Sequence, residues 1–153
     1  MEKTAVNLMT FALQPHLMGI LHVHAAATAH ELQDIDLVTQ ALEWLTETEW
    51  DVDMTTSYHG PKVAMLSTQI KKNKQLDSFT EKLEPLHATI LSELDSRLDE
   101  NNVIHLRLNL ESVLAQRVEM MQSSESAPVV KVRIKLAVYP GQDVEAIATG
   151  IFG

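Results

Sequence analysis

Two segments near the C-terminal end of the chain alternate strictly between apolar and polar residues. In residues 104–110 and 130–138, every second position is Leu, Ile or Val. Because side chains alternate between the two faces of a strand, each segment predicts a strand with one buried and one solvent-exposed face. The polar positions carry cations and an imidazole: His105, Arg107, Lys131, Arg133 and Lys135.

A third segment, residues 16–27, has the same period and predicts the first strand. One parity is apolar throughout and should face the core: Leu17, Leu21, Val23, Ala25 and Ala27. The other parity should face outward, and it mixes apolar residues with histidines: His16, Met18, Ile20, His22 and His24. The imidazoles of this strand therefore share a predicted face with the cations of the later strands if the three strands are neighbours.

Helical spacing separates these strands. Asp34 is suited to cap a helix whose apolar residues are Leu37, Val38, Ala41, Leu42 and Leu45. Strands at about 50–58 and 62–70 flank a turn at His59-Gly60-Pro61, and a long helical stretch from about 76 to 98 is interrupted at Pro85. Residues 111–127 fit either a helix or an irregular excursion, and a short helix containing Val144 closes the chain.

These elements predict an α+β fold with two layers, in which helices cover one face of a largely antiparallel sheet and the other face stays open. The length of 153 residues fits one domain. We expect a single domain over residues 16–153, preceded by a short appendage at 1–15.

Composition excludes several classes of protein. The chain has no cysteine, so disulfide frameworks, thiolate zinc sites and cysteine nucleophiles are ruled out, and a cytoplasmic location is expected. No apolar run approaches the roughly 18–20 residues of a membrane span, so no membrane partner is expected. The net charge of −9 argues against coating nucleic acid by bulk charge.

The distribution of charge matters more than its sum. Residues 103–138 hold five of the 12 Lys and Arg residues and three of the 21 acidic ones. One sheet face would gather seven side chains that could follow a phosphate backbone: His22, His24, His105, Arg107, Lys131, Arg133 and Lys135. A lysine-rich edge would add Lys62, Lys71, Lys72 and Lys74. The competing interpretation is an ordinary solvated sheet face, on which Lys and Arg are common.

Signals for catalysis are weak. His22 and His24 would point the same way from a strand and suit a metal chelate, but the sequence fixes no third ligand. The motifs of phosphate-binding loops, dinucleotide-binding folds, serine hydrolases and zinc proteases do not occur. We therefore expect no enzyme activity, no metal and no cofactor.

Five stretches resemble the archaeal family of predicted RNA-binding exosome subunits. They are His22–Ala25 with Thr28 before the first helix, Tyr58–Val63, Leu94–Asn102, Ile104–Leu108 and Val130–Ile134. The likeness spans about residues 16–140. The sequence departs from the family at two places. After Arg107-Leu108, Asn109-Leu110-Glu111 replaces a family pattern that contains Lys-Gln. At Thr28-Ala29-His30-Glu31, the acidic residues that follow the threonine in the family are displaced.

The resemblance implies a ribosomal-protein-like α+β domain that acts without catalysis, with RNA or an RNA-processing complex as its partner. A second hypothesis is a homodimeric protein-interaction module without a nucleic-acid ligand. The acidic net charge favours this hypothesis. Apolar Met18 and Ile20, on the same predicted strand face as the histidines, would contribute to the dimer interface.

Overall fold

The computed structural model of the protein describes residues 19–30, 34–56, 62–122 and 127–153. The strands are β1 (Ile20–His30), β2 (Asp51–Thr56), β3 (Lys62–Ile70), β4 (Val103–Asn109) and β5 (Val129–Leu136). The helices are α1 (Ile35–Thr46), α2 (Asn73–Lys82), α3 (His87–Ser92), α4 (Leu94–Arg97), α5 (Leu110–Leu114) and α6 (Val144–Phe152). The predicted segments 1–15 and 16–18 and the turn at 59–61 lie outside the described residues.

The five strands form one antiparallel sheet in the order β2-β3-β1-β5-β4. The helices supply buried side chains to a single hydrophobic cluster on one side of this sheet. Within the described ranges, no helix covers the other side. The predicted α+β class, with an antiparallel sheet and helices on one face, is confirmed.

The core follows the predicted alternation in β4 and β5. All the apolar positions that the period assigns to the core of these strands are buried: Ile104, Leu106, Leu108, Val130, Val132, Ile134 and Leu136. The central strand β1 presents small residues inward, among them Ala25, Ala27 and Ala29. Large buried side chains from the helical layer, including Leu42, Phe79 and Leu83, complete the core. Large residues facing small ones fill the space between two layers without leaving cavities.

Local signals set the ends of the helices. The carboxylate of Asp34 accepts hydrogen bonds from the amides of Asp36 (3.0 Å) and Leu37 (3.2 Å), which confirms it as the N-cap of α1. The predicted long helix begins earlier, at Asn73, and ends at Lys82. Pro85 lies in a 3₁₀ turn over Glu84–Leu86 before α3, because proline cannot occupy a helix interior without losing a backbone hydrogen bond.

The start of β1 differs from the prediction. Ile20, expected on the open face, is buried, whereas Leu21, expected in the core, is 52% exposed. The pairing of β1 with β5 shifts register between Ile20 and His22, and such an irregularity exchanges the faces of the residues before it. The prediction that Ile20 contributes exposed apolar surface to a homodimer interface is therefore wrong. Met18, the other residue of that prediction, lies outside the described residues.

Two further boundaries are corrected. Leu110 was expected to end β4 but begins α5, where Asn109 caps the helix through a hydrogen bond from the amide of Ser112. In the ambiguous segment 111–127, α5 ends at Leu114 and residues 115–122 are irregular, whereas residues 123–126 lie outside the described residues. Leu37, assigned to the apolar side of α1, is 56% exposed.

The different exposure of two leucines in α1 gives a test of the layer arrangement. Leu42 is fully buried, so Leu42→Ala should lower the free energy of unfolding by about 2–5 kcal/mol through lost burial and a cavity. Leu37→Ala makes the same chemical change on the exposed side and should stay within about 0.5 kcal/mol. Urea denaturation of both variants measures the difference, and equal losses would contradict this packing of α1.

Candidate nucleic-acid interface

The uncovered side of the sheet, hereafter the open face, collects the seven cationic and imidazole side chains predicted from the sequence. β5 supplies Lys131, Arg133 and Lys135, and it lies between the strands that carry the remaining four. In the register of the sheet, Lys135 is opposite His22, and Arg133 is opposite both His24 and His105. Lys131 is opposite Arg107 on β4 and Ala26 on β1. The seven side chains are therefore neighbours in three cross-strand rows.

Five of these seven residues, with four others, line a depression of about 280 Å³, hereafter the end pocket. It lies where β4 begins and β5 ends. Its lining consists of His22, His24, Gln69, Asp99, Asn101, Val103, His105, Arg133 and Lys135. Arg107 and Lys131 are not among the residues lining the pocket and continue the basic surface along the same two strands.

Arg133 and His24 are in direct contact at the end pocket. The guanidinium Nη2 of Arg133 is 3.3 Å from Nδ1 of His24. Because a guanidinium only donates, Nδ1 must accept, which leaves the proton of neutral His24 on Nε2. Partial burial lowers the pKa of His24 below its usual value, and the positive charge of Arg133 and the neighbouring His22 lower it further.

The turn between α4 and β4 forms the wall of the end pocket. Oδ2 of Asp99 lies 2.8 Å from Nε2 of His105, and Oδ1 accepts the amides of Asn101 and Val103 at 2.8 and 3.1 Å. The hydrogen bond from His105 is the main cause that lowers the pKa of Asp99, so its carboxylate stays charged. The ammonium of Lys135 donates to the carbonyl of Asn101.

The lysine-rich edge predicted from the sequence is not one surface. Lys62 begins β3 and Lys71 follows its other end, nine residues away at about 3.3 Å per residue, so their backbones are separated by roughly 30 Å. Lys72 and Lys74 belong to the N-terminal end of α2 in the helical layer. There, hydrogen bonds from Ser78 and Lys82 lower the pKa of Glu47, and the charge of Lys74 adds a smaller contribution. The pairing of Val23 with Ile70 and of His24 with Gln69 brings Lys71 beside His22 at the end of the open face, whereas Lys72 and Lys74 lie in the helical layer.

The open face changes in charge from one side of the sheet to the other. On the edge strand β2, Asp51 and Asp53 are exposed and are opposite Ser67 and Met65 of β3, which places them on the open face. Small residues lie between this acidic edge and the cations, since Ser67 is paired with Ala26, and Ala26 with Lys131. An anion would therefore be attracted to β4 and β5 and repelled from β2.

Sequence reasoning missed four residues of the end pocket: Gln69, Asp99, Asn101 and Val103. Asp99 and Asn101 were placed in the stretch Leu94–Asn102 that resembles the family and were given no binding role, although a carboxylate six residues before a strand histidine could have suggested a pairing. Gln69 was not considered. It has the parity of the open face and is opposite His24, but this requires knowing that β3 pairs with β1.

Two further features of the described residues concern metal binding and membrane insertion. Within residues 19–30, 34–56, 62–122 and 127–153, no group of three or more His, Cys, Asp or Glu side chains is arranged to hold a metal ion. None of the helices in these same ranges combines the length and hydrophobicity needed to cross a bilayer.

The fold and the open face define a two-layer α+β protein whose uncovered sheet carries clustered cations. The chain belongs to the protein family described as RNA binding, whose model matches residues 22–136. The family resemblance inferred from the sequence is therefore confirmed.

Relatives and solved structures agree with this assignment. RNA-binding protein PAB1135 from Pyrococcus abyssi (strain GE5 / Orsay) is 24% identical over 123 residues, which cover 72% of this chain and 78% of the relative. Mth689, a DUF54 protein from Methanothermobacter thermautotrophicus, has a TM-score of 0.73 and 21% identity, covering 88% of this chain and 99% of its own. A UPF0201 protein from Methanococcus jannaschii has a TM-score of 0.61 and 17% identity, covering 87% and 100%. These two structures show a shared fold.

The contact between Arg133 and His24 predicts how His24 titrates. Arg133→Gln should raise the pKa of His24 toward 6.5, because one cause of its lowering is removed while burial remains. Lys131→Gln removes the same charge from a neighbouring row and should change the pKa of His24 less. Two-dimensional NMR of the imidazole resonances across a pH series measures both shifts, and an unchanged pKa in Arg133→Gln would contradict the contact.

The same lowered pKa fixes the sign of a pH effect on stability. Since the folded protein favours neutral His24, the unfolded chain takes up this proton first as the pH falls. The contribution of His24 to the free energy of unfolding should be complete above about pH 6.5 and lost as the pH falls through the folded-state pKa. In Arg133→Gln this pH-dependent loss should be smaller.

Proposed function

We propose that the protein is a non-catalytic RNA-binding protein that contacts phosphates through the open face, and that it works in the cytoplasm with RNA-processing machinery such as the exosome. The family supports RNA as the ligand. The exosome and the compartment rest on the resemblance seen in the sequence and on the absence of cysteine.

The observation that carries the proposal is the register of β1, β5 and β4. It places Arg107 directly opposite Lys131, with Arg133 and Lys135 following on the same face of β5, on a surface that no described helix covers. Permanent cations so close together repel one another, and a polyanion would relieve that repulsion by neutralising them. A sheet face that is only solvated gains nothing from placing one cation directly opposite another, because like charges at such positions are destabilising.

The acidic net charge is compatible with this proposal. The carboxylates of Asp51 and Asp53 lie on the opposite edge of the open face, and Glu47 and Glu93 form ion pairs with Lys82 and Arg97. A net charge of −9 weakens long-range attraction to any polyanion, so binding would depend on contacts at the face itself. Phosphate contacts fix orientation but carry no sequence information, and we propose that this surface reads RNA with little base preference.

The homodimer alternative lacks support from the described residues. Its predicted apolar surface included Ile20, which is buried in the core. The described open-face positions of β1, β4 and β5 are mainly cations, imidazoles and small or polar side chains, which do not favour burial against a second copy of themselves.

Salt dependence tests the proposed interface. If the four permanent cations each contact a phosphate of single-stranded RNA, the logarithm of the association constant should fall with the logarithm of salt concentration with a slope of about −3. Lys131→Gln should weaken binding to any RNA sequence and reduce the magnitude of the slope by about 0.7. Fluorescence anisotropy with a labelled RNA over a salt series measures both quantities.

Lys74→Gln is the matched control, since it removes the same charge from the helical layer. It should leave the affinity and the slope close to those of the parent protein, because Lys74 lies near Glu47 and away from the open face. An equal effect of Lys74→Gln and Lys131→Gln would reject the open face as the binding surface, and no binding at low salt would reject RNA binding altogether.

The carboxylate of Asp99 gives a test with the opposite sign. Asp99→Asn removes a negative charge beside His105 while keeping an oxygen that can accept the amides of Asn101 and Val103. We expect RNA affinity at low salt to rise by about fivefold, the scale of one unit charge near a protein surface.

Asp99→Ala separates this charge effect from the shape of the turn. It removes the carboxylate and also the acceptor for the two amides, so it should raise affinity no more than Asp99→Asn does and should lower the melting temperature further. Affinity that is unchanged or reduced in Asp99→Asn would show that Asp99 does not oppose the ligand.

A further inference from the structure

The end pocket differs from the rest of the open face because a wall closes one side. The turn over residues 99–102 is attached to the sheet by backbone hydrogen bonds, from Asp99 to Val103 (3.0 Å) and from Leu136 to Asn102 (2.9 Å). The side chains of His105 and Lys135 also bond to this turn. A nucleic-acid backbone that follows the cations of β5 from Lys131 toward Lys135 would therefore meet a fixed obstacle.

The pocket has the donors that a highly charged phosphate needs. Arg133 and Lys135 are permanent cations on adjacent rows, and the imidazoles of His22 and His24 lie beside them. Neutral His24 keeps its proton on Nε2, because Nδ1 accepts from Arg133. His22 has Nδ1 buried without a hydrogen-bond partner among the described residues, so reorientation of this ring toward an anion breaks no bond at that atom.

The size of the pocket limits what it can hold. Its volume of about 280 Å³ is at the small end of the range for ligand pockets, so it suits a phosphate group with part of a sugar. A terminal phosphate monoester carries about −1.5 to −2 charges near neutral pH, whereas an internal diester carries one. Clustered donors in front of a wall favour the terminal group, because an internal phosphate needs an exit on both sides.

We propose that the end pocket binds the terminal phosphate monoester of an RNA strand, with Arg133 and Lys135 as its charged donors and His22 and His24 beside them. This inference rests on the proposed function, since the rest of the strand would lie along Lys131 and Arg107. The monoester can come from either end of an RNA, and the chemistry of the pocket is the same for both.

Three RNAs of one sequence test this proposal: one with a 5′-phosphate, one with a 3′-phosphate and one with hydroxyl groups at both ends. We expect one phosphorylated RNA to bind about tenfold more tightly than the hydroxyl RNA, the scale of one charge-assisted hydrogen bond. Equal affinities for all three would overturn the end pocket as a terminal-phosphate site and leave RNA binding intact. Absence of binding by any of them would overturn both.

Two double variants with the same change in charge locate the preference. Arg133→Gln with Lys135→Gln should abolish the preference for the phosphorylated RNA. Arg107→Gln with Lys131→Gln should weaken all three RNAs and keep the ratio between them. A ratio that survives the first double variant, with its fold verified by circular dichroism, would contradict the assignment to this pocket.

Inorganic phosphate provides a test on the unaltered protein. Added phosphate should shift the NMR resonances of the His22 and His24 imidazoles and should compete with the phosphorylated RNA more strongly than with the hydroxyl RNA. Sodium chloride at the same ionic strength is the control. Imidazole resonances that respond identically to both anions would also overturn the proposal.

Discussion

The pairing of β5 with β1 on one side and β4 on the other is the constraint on which the rest of this structure depends. Valine, isoleucine and leucine on one face of β5 enter the core, and this burial fixes the register of the strand. A slip by one residue would expose the entire apolar set, which makes it very unfavourable. The same register decides that Lys131, Arg133 and Lys135 face outward beside the side chains of their neighbours, so the hydrophobic core determines the arrangement of the cations.

Such a concentration of positive charge has an electrostatic cost that the surrounding groups reduce. His24 stays neutral more readily than an ordinary histidine and accepts a hydrogen bond from Arg133. A carbonyl oxygen of the turn accepts from Lys135, and a carboxylate of the same turn pairs with His105. These contacts hold the donors in place before any ligand arrives, and prior ordering lowers the entropy cost of binding.

Much of the fold could be predicted because the relevant signals are local. Period-two alternation identified β4 and β5 and the outward side of each, and Asp34 marked the start of α1. The register shift near Leu21 was not predictable, since the leucine has the right parity for the core and only the pairing of β1 with β5 exposes it. The sequence suggested one edge for the lysines around β3 because they are close along the chain, but an extended strand separates Lys62 from Lys71, Lys72 and Lys74.

The end pocket likewise combines residues that local sequence patterns predict with residues that only tertiary packing brings together. Its histidines and cations were identified from parity, whereas Asp99 and Asn101 come from a turn whose return onto the sheet depends on the packing of the helices before it. The order of the strands was likewise beyond the sequence, because nothing local states that the first and last strands are neighbours at the centre of the sheet. Tertiary packing, with no counterpart in any short segment, supplied these features.

The aspartates on β2 have a consequence for how copies of this chain meet one another. A strand at the rim of a sheet has unpaired backbone groups that can recruit another rim and build a continuous sheet across molecules. If two β2 strands joined in this way, Asp51 and Asp53 of both copies would come together on the same side and repel. The exposed Val52 and Met54 on the reverse side would favour such pairing, and the repulsion between the carboxylates opposes it.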